Sequence, residues 1–280
     1  MKEKWILVTG GTSGTGLECV QQLVKRNHQV ILTGRNLDKI EKIKQEINVD
    51  NLHTCQMDVT NHDQIQACRE FILEITNGYG LDILINNAGY PQTGFLLDLP
   101  LDLIKNQYET NVYGMLDVTQ SLFSLLQKNR GGIVNIGSVQ GRLYVPFYSI
   151  YSSTKHAVKA ISHLMRVEFK RLGVKVTLIE PGTVKTNFEK TGLGTLSSLD
   201  TENSLYADIY TNYQDNNYRP LKSMPGITAE KVAKKIASLI NKKRWKASYP
   251  ISIYGRIYLF TQKITPHWVG EWVTRRIFSL

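Results

Sequence analysis

Cysteine is scarce in this chain of 280 residues, which has only Cys19, Cys55 and Cys68. Their spacing fits neither a disulfide framework nor a metal site, so we interpret them as small core residues in a reducing compartment. No apolar run reaches the roughly 18 residues that a membrane span requires, and the apolar stretch near the N-terminus is too short for a secretion signal. The six histidines do not have the spacing of metal ligands. We therefore expect a cytoplasmic protein without a metal centre.

Acidic residues are fewer than basic ones, and the formal net charge is +10. The excess is concentrated near the C-terminus, since residues 241–280 hold eight Lys and Arg residues against the single acid Glu271, a net charge of +7. Such a cluster indicates either an anionic partner or a solvated basic face. A nucleic-acid partner has no other support in the sequence, and we expect none.

Apolar, β-branched runs alternate with helical periodicity along most of the chain. Strands are predicted near residues 5–9, 29–34, 53–59, 81–86, 132–137, 174–180 and 247–252. This alternation predicts an α/β fold, namely a Rossmann-like doubly wound parallel sheet with helices on both faces. No break in composition divides the chain, so we expect a single domain over residues 1–280. Ligands of such sheets bind at the carboxyl ends of the strands.

A glycine-rich loop, TGGTSGTG, follows the first predicted strand at residues 9–16. Glycines at a strand-to-helix turn permit positive φ and let the backbone approach a pyrophosphate, while the next helix offers unpaired N–H groups. A tight turn without a ligand would have a similar sequence. We predict that a dinucleotide is held here by Gly10, Thr12, Ser13, Gly14, Thr15 and Gly16.

Further short motifs follow along the chain, most of them at the ends of the other predicted strands and two, with Asn111 and with Tyr151 and Lys155, on predicted helices. They are Asp58-Val59, Asn86-Asn87-Ala88-Gly89, Asn111 in NVYG, Ser138 in GSVQG, Tyr151-Ser-Ser-Thr-Lys155 and Pro181-Gly182. Together with T-G-x-x-x-G-x-G at residues 9–16, this series resembles the short-chain dehydrogenases/reductases in order and spacing, from residue 5 to about 187. Thr15 departs from the family pattern, which usually has an aliphatic residue there. The resemblance implies a nicotinamide-dependent oxidoreductase that forms a homodimer or homotetramer.

The resemblance also implies contacts with the cofactor outside the glycine loop. Asp58 is expected at the adenine edge, with Val59 against its ring, and the nicotinamide side is expected to be lined by Asn87, Ala88, Gly89, Pro181, Gly182, Val184 and Thr186. Each of these short motifs alone would also fit strand-end packing or an ordinary turn.

The end of the second predicted strand, VILTGRN, indicates which dinucleotide binds. An NAD site has an acidic residue here that accepts from the ribose hydroxyls, whereas this chain has Gly34 followed by Arg35. A guanidinium binds a 2′-phosphate through charge-assisted hydrogen bonds. We therefore predict NADP(H), the alternative being that Arg35 is a surface residue at the start of the next helix.

Tyr151 and Lys155 are four residues apart, so on a helix they share one face. Hydride chemistry at an alcohol or carbonyl carbon needs a proton donor or acceptor at the oxygen. A nearby ammonium and an oxidised nicotinamide ring would lower the pKa of a tyrosine for this role. Y-x-x-x-K is common on surface helices, but Ser138 at the fifth strand end could donate to the substrate oxygen. By resemblance, Lys155 also binds the nicotinamide ribose, and Asn111 anchors a water that connects Lys155 to solvent.

These residues predict an enzyme that interconverts a secondary alcohol and a ketone or aldehyde, with Asn111, Ser138, Tyr151 and Lys155 as its catalytic residues. The alternative is a non-catalytic, NADP(H)-sensing regulator on the same fold. Such a regulator would not need the four residues together.

Residues 187–227 form a polar stretch that we interpret as a substrate lid. It carries Tyr206, Tyr210 and Tyr213 at helical spacing, and leucines 193, 196 and 199. With Tyr144, Val145, Phe147 and Tyr148 they could line a pocket for a bulky lipophilic substrate. They could equally pack the lid onto the domain, and both interpretations stay open.

Residues 254–280 are predicted to form an amphipathic C-terminal extension. Thr265 and Pro266 are predicted as the N-cap and first residue of a helix with Trp268, Val269, Trp272, Val273 and Ile277 on one face. This face could be buried against the chain's own core or a second subunit, or it could rest peripherally on an anionic membrane.

Overall fold

A computed structural model of the chain describes residues 3–186, 188–214, 226–253, 255–257, 265–278 and 280. Its central sheet has seven parallel strands in the order β3-β2-β1-β4-β5-β6-β9. These strands are β1 Trp5–Val8, β2 Gln29–Gly34, β3 Leu52–Gln56, β4 Ile83–Asn86, β5 Gly132–Ile136, β6 Lys175–Glu180 and β9 Ser248–Pro250. Two further strands, β7 Val184–Lys185 and β8 Ile227–Thr228, form a separate parallel pair. The predicted doubly wound α/β fold is confirmed.

The central strands β1, β2 and β4 are largely apolar because helices cover both faces of the sheet. Ile6 and Val8 of β1 face one core cluster, while Leu7 between them faces the other, as the alternation of side chains along a strand requires. The described helices are α1 Gly14–Val24, α2 Leu37–Ile47, α3 His62–Ile75, α4 Leu101–Tyr108, α5 Gly114–Lys128, α6 Ser149–Glu168, α7 Phe188–Gly194, α8 Ala207–Gln214, α9 Ala229–Leu239 and α10 His267–Phe278.

The strand order reverses at β1, which pairs with β2 on one side and β4 on the other. A crevice forms at such a switch point outside the carboxyl ends of the strands, and ligands bind there. The predicted site motifs follow β1 to β6 and therefore meet at this edge.

Some observed boundaries differ from the predicted ones. Strand β3 ends at Gln56, so Asp58 and Val59 lie in the loop after it. The pair β7–β8 was not predicted, because strands of two residues are too short to produce a periodic pattern. This pair joins the two ends of the predicted lid, where Val184 is in register with Ile227. Residues 187 and 215–225 of the lid lie outside the described residues.

The C-terminal helix begins one residue later than predicted and exposes part of its apolar face. It begins at His267, with the Pro266 carbonyl accepting from the N–H groups of Val269 and Gly270, so Thr265 is not adjacent to its first residue. Phe278 is buried, whereas Trp268 and Trp272 are 71% and 60% exposed. The two tryptophans are therefore not buried against the chain's own core, and contact of this face with a second subunit or an anionic membrane stays a prediction. The side chain of Ile277 lies outside the described residues.

Candidate active site

The glycine loop takes a conformation that requires its glycines. Gly10 and Gly14 have φ values of 61° and 52°, which side chains disfavour. A Cβ at Gly16 would lie 2.2 Å from the carbonyl oxygen of Gly10. The spacing of these glycines is thus explained by a backbone that folds tightly onto the start of α1.

The N-terminus of α1 differs from those of α2, α3 and α9. Those three helices have a side-chain cap and an acidic residue in the first turn. Ser13, at the N-cap of α1, makes no side-chain capping bond among the described residues, and the first turn holds no acid. The exposed N–H groups and positive end of α1 suit a pyrophosphate. Gly10, Thr12, Ser13, Gly14, Thr15 and Gly16 therefore fit the predicted dinucleotide.

The end of β4 is fastened to this loop by Thr9 and Asn87. The Thr9 hydroxyl accepts from the backbone N–H groups of Asn87 and Ala88, at 2.9 and 3.0 Å. The Asn87 side chain donates to the carbonyl oxygens of Thr9 and Gly10, at 3.0 and 3.1 Å. Asn87 thus holds the loop in place, while its direct contact with a cofactor stays a prediction. Thr9 begins the T-G-x-x-x-G-x-G motif, but its contact with the end of β4 was not predicted, because the motif does not show which distant backbone groups the hydroxyl meets.

At the end of β2, Gly34 leaves room for the loop. A Cβ at position 34 would lie 2.7 Å from the Thr12 side chain. Arg35 is exposed, and its charge reaches the phenol of Tyr90, just after the Asn86–Gly89 motif. Burial raises the pKa of Tyr90, and the positive charge of Arg35 opposes that rise. The Arg35 charge therefore acts on Tyr90, at the edge of the predicted cofactor site.

Asp58 and Val59 have structural partners of their own. One Asp58 carboxylate oxygen accepts from the backbone N–H and hydroxyl of Thr60, at 2.9 and 2.8 Å. Val59 is 7% exposed and belongs to the core, where its carbonyl lies beside Gly114. Their predicted contacts with adenine stay predictions.

The segment after β6 returns to the glycine loop. A Cβ at Gly14 would lie 3.5 Å from the Thr186 methyl group. The Pro181 carbonyl accepts from the Val139 N–H at 2.9 Å, and Val184 lies in β7. Gly182 is close to Ser252, where a Cβ would lie 2.8 Å away. The structure therefore joins this segment to both the loop and the turn after Ser138.

Ser138, Tyr151 and Lys155 converge at the end of β5. The Ser138 hydroxyl hydrogen-bonds to the buried Tyr151 phenol. The Lys155 ammonium lies 5.6 Å from the Tyr151 ring centroid and donates to the Ile136 carbonyl at 3.0 Å. Gly141 permits this convergence, because a Cβ there would lie 2.6 Å from the Lys155 carbonyl oxygen.

Burial dominates the acid–base properties of both groups. It raises the pKa of Tyr151, and the Ser138 hydrogen bond opposes that rise. It lowers the pKa of Lys155 to about 8. The direction for Tyr151 is opposite to the one expected from the sequence, which included the charge of an oxidised nicotinamide ring. In the protein alone, the phenol is held in its protonated form.

Asn111 lies in a π-helical turn, Glu109–Tyr113, between α4 and α5. Its amide exchanges two hydrogen bonds with the Tyr90 backbone, at 3.1 and 3.0 Å, and donates to the Thr154 hydroxyl at 3.2 Å. A Cβ at Gly89 would lie 2.8 Å from the Asn111 oxygen and 3.9 Å from the Lys155 nitrogen. Asn111 therefore connects the Gly89–Tyr90 turn to α6, and its water-binding role stays a prediction.

An ion pair that sequence reasoning missed supports this region. Arg142 donates to both carboxylate oxygens of the fully buried Glu180, at 2.6 and 2.9 Å. This bidentate pair fixes the turn after Ser138 to the end of β6. The available signal was Glu180 itself, because a carboxylate at the end of a buried strand needs a cationic partner.

Aromatic rings cover the other side of Tyr151. Phe188 lies 5.6 Å from its ring. Phe147 and Tyr210 are each 1% exposed and belong to the same apolar cluster as Tyr151, Tyr148, Phe95, Leu196, Ile209 and Phe278, against which Val145, Leu199 and Tyr206 pack. For Phe147 and Tyr210 the packing interpretation therefore holds. Tyr144 and Leu193 are exposed, and the side chain of Tyr213 lies outside the described residues.

Metal sites and membrane spans are both absent from the described residues. No group of three or more His, Cys, Asp or Glu side chains in that part of the chain could hold a metal ion. Among the same residues, no helix has the length and apolarity to cross a membrane.

Comparison with known proteins agrees with the fold and with the family that the sequence resembles. A family model for short chain dehydrogenases matches residues 4–193. The "uncharacterized oxidoreductase YusZ" of Bacillus subtilis is 31% identical over the whole of both chains. The "probable short-chain type dehydrogenase/reductase VdlC" of Helicobacter pylori is 31% identical over 93% of this chain and 92% of its own.

Solved structures share the architecture. A short-chain dehydrogenase from Streptomyces avermitilis superposes with a TM-score of 0.79 at 24% identity, over 94% of this chain and 93% of its own. ElxO with NADP bound has a TM-score of 0.72 at 28% identity, over 89% and 97%. A variant of actinorhodin polyketide ketoreductase with NADPH has a TM-score of 0.73 at 26% identity, over 90% and 95%. The family model, the two relatives and the shared fold together show that this chain is an oxidoreductase of the short-chain dehydrogenase family.

Proposed function

We propose that the protein is an NADP(H)-dependent oxidoreductase that interconverts a secondary alcohol and a ketone or aldehyde. The observation that carries this proposal is the contact of Ser138 with Tyr151, with Lys155 one helical turn away. The three groups lie at the sheet edge that also holds the glycine loop. We further propose that it works in the cytoplasm as a homodimer or homotetramer.

A bound nicotinamide dinucleotide would supply or accept the hydride. The glycine loop would hold its pyrophosphate, and Lys155 its nicotinamide ribose. The segment from Pro181 to Thr186, which lies against Gly14, would hold the nicotinamide end, and the Asp58-Val59 turn would hold the adenine.

Tyr151 would exchange the proton at the substrate oxygen. Because burial keeps its phenol protonated, the residue is ready to donate as a carbonyl is reduced. The Ser138 hydroxyl would donate a second hydrogen bond to the same oxygen as negative charge develops on it. Lys155 would stabilise the tyrosinate left behind, and Asn111 would order a water that returns a proton through Lys155.

Preference for NADP(H) rests on the end of β2. Gly34 has no carboxylate to repel a 2′-phosphate, and the Arg35 guanidinium is exposed at the site edge and suited to bind it. Two of the structures similar to this chain contain NADP or NADPH. Together these observations favour NADP(H) over NAD(H).

A bulky, lipophilic substrate fits the side of Tyr151 that the aromatic residues cover. Phe188 is 37% exposed beside the Tyr151 ring. Phe95 and Tyr206 stack with their centroids 4.1 Å apart in the same cluster. The exposed Phe188 ring and the half-buried Tyr206 ring would bind an apolar substrate better than a small polar one.

The proposal is tested with a panel of ketones and aldehydes, monitored by NADPH absorbance and repeated with NADH. Replacement of Tyr151→Phe removes the proton donor and should lower kcat by about 10²–10⁴-fold, with the Kd for NADPH nearly unchanged. Tyr108→Phe is the matched control. The Tyr108 phenol donates to Ser153 at 3.0 Å, and Ser153 lies on α6 close to Tyr151 in the chain. Near-normal turnover by Tyr151→Phe would refute the catalytic assignment. Cofactor binding without turnover on any substrate would favour a sensing regulator.

A further inference from the structure

The C-terminal helix α10 exposes the residues that most proteins bury. Trp268 and Trp272 are 71% and 60% exposed, one turn apart. Arg275 and Arg276 follow on the exposed side, and the Arg276 guanidinium lies 6.0 Å from the Trp272 ring centroid. Large exposed apolar surface of this kind marks a site of interaction.

The opposite face of α10 is already occupied. Phe278 is 6% exposed and packs in the aromatic cluster that contains Tyr151, Tyr148 and Tyr210. The helix is therefore seated on the domain through Phe278, and its tryptophans are not needed for that contact.

The exposed face combines aromatic rings with positive charge. Trp272, Arg275, Arg276 and Leu280 line one shallow groove. Neither arginine has a carboxylate partner among the described residues, and the net charge of residues 241–280 is +7. Arginine next to tryptophan suits a phosphate group that lies above an apolar layer.

We propose that this face of α10 binds an anionic lipid surface. The tryptophans would lie at the headgroup level, where their amphipathic rings are favoured, and the arginines would bind lipid phosphates. A contact with a second copy fits less well, because the partner would bring the same excess of positive charge to the contact, whereas an anionic surface complements it. If the proposed function holds, a lipophilic substrate could reach the Tyr151 cluster from that surface.

The test is flotation of the full chain with vesicles of phosphatidylcholine, with and without phosphatidylserine. The chain should bind only the phosphatidylserine vesicles, and salt should weaken the binding. Because each surface arginine contributes about 1 kcal/mol, Arg275→Gln with Arg276→Gln should weaken binding by roughly thirtyfold. Trp268→Ala with Trp272→Ala should weaken it by at least about tenfold through lost apolar burial.

Two matched double variants serve as controls. Lys170→Gln with Arg171→Gln removes two neighbouring exposed charges elsewhere, and Leu164→Ala with Val167→Ala removes exposed apolar side chains from α6. Both should bind like the wild type. Equal binding by all variants, absence of binding, or a change of oligomeric state in the α10 variants alone would overturn the proposal. Turnover of a water-soluble carbonyl is measured in parallel, so that failure of the proposed function is seen separately.

Discussion

The cofactor side of the site is formed mainly by backbone contacts, whereas the substrate side is formed by contacts between side chains. On the cofactor side, the close contacts are between backbone segments. A Cβ at Gly10 would lie 3.0 Å from the Ala88 Cα, and one at Gly16 would lie 2.2 Å from the Gly10 carbonyl oxygen. On the substrate side, the contacts are between rings, such as Phe95 with Tyr206 and with Tyr210. Where two backbone segments approach this closely, only glycine fits. A pocket made of side chains can be filled in many ways.

The sharpest test of this contrast compares two glycines. Gly16→Ala should weaken NADPH binding by up to about a hundredfold, because overpacking costs roughly 1–3 kcal/mol and the opposing carbonyl cannot move aside. Gly194→Ala, in the lid, meets nothing within 4 Å and should leave binding unchanged. Isothermal titration with NADPH and urea unfolding measure both effects. Equal Kd values for the two variants would contradict a cofactor seat built from backbone.

Arg35 differs from the glycines of the cofactor side, because it is proposed to bind the cofactor through its side chain. Arg35→Gln should raise the Kd for NADPH by about 10- to 100-fold, as expected for a charge-assisted hydrogen bond of roughly 1.5–3 kcal/mol. The Kd for NADH should stay the same. Arg171→Gln, another exposed arginine, is the control. A parallel loss of NADPH and NADH binding would show that Arg35 supports the fold and does not bind the 2′-phosphate.

The same contrast explains what could be predicted from the sequence. Buried strands such as Val30–Leu32 and the glycine loop could be recognised from the sequence. Each is made of consecutive residues in the same environment, so each produces a local sequence pattern. The Arg142–Glu180 pair and the Tyr210–Asp98 bond join residues 38 and 112 positions apart, and neither leaves a local pattern. For α10, helical periodicity locates an apolar stripe without showing what covers it, so the exposure of Trp268 and Trp272 could not be predicted.

Tyr210 tests the substrate side. Its hydroxyl donates to Asp98 at 2.8 Å and accepts from the Phe95 N–H at 2.9 Å, so the lid is fixed to the segment after β4. Tyr210→Phe leaves the Phe95 N–H without its partner and removes one of the two hydrogen bonds to Asp98, the other being donated by Ser204. It should lower the free energy of unfolding by about 1–3 kcal/mol. It should also raise KM for a lipophilic ketone several-fold, with the Kd for NADPH unchanged. Tyr206→Phe keeps its ring stacking and is the control. A loss of NADPH affinity in Tyr210→Phe would show that the two sides are coupled.

The smallest expected effect concerns His28, which lies just before β2, at the end of the sheet opposite the site. It is fully buried, and neither ring nitrogen has a hydrogen-bond partner among the described residues. Burial lowers its pKa, and the charges of Lys4 and Arg26 lower it further. The unfolded chain therefore binds a proton more readily than the folded one.

Stability should consequently be highest above pH of about 6.5, the unfolded pKa, and should fall as the pH drops toward the lower folded pKa. His28→Leu removes the unpaired polar group and should raise the free energy of unfolding by about 1 kcal/mol at neutral pH. The gain should grow in acid, although His53 and His163, whose pKa values burial also lowers, would preserve part of the slope. Urea titrations across this pH range measure it. Because His28 lies away from the site, NADPH affinity should not change. If the gain in the free energy of unfolding were the same at every pH, His28 would not change its protonation on unfolding.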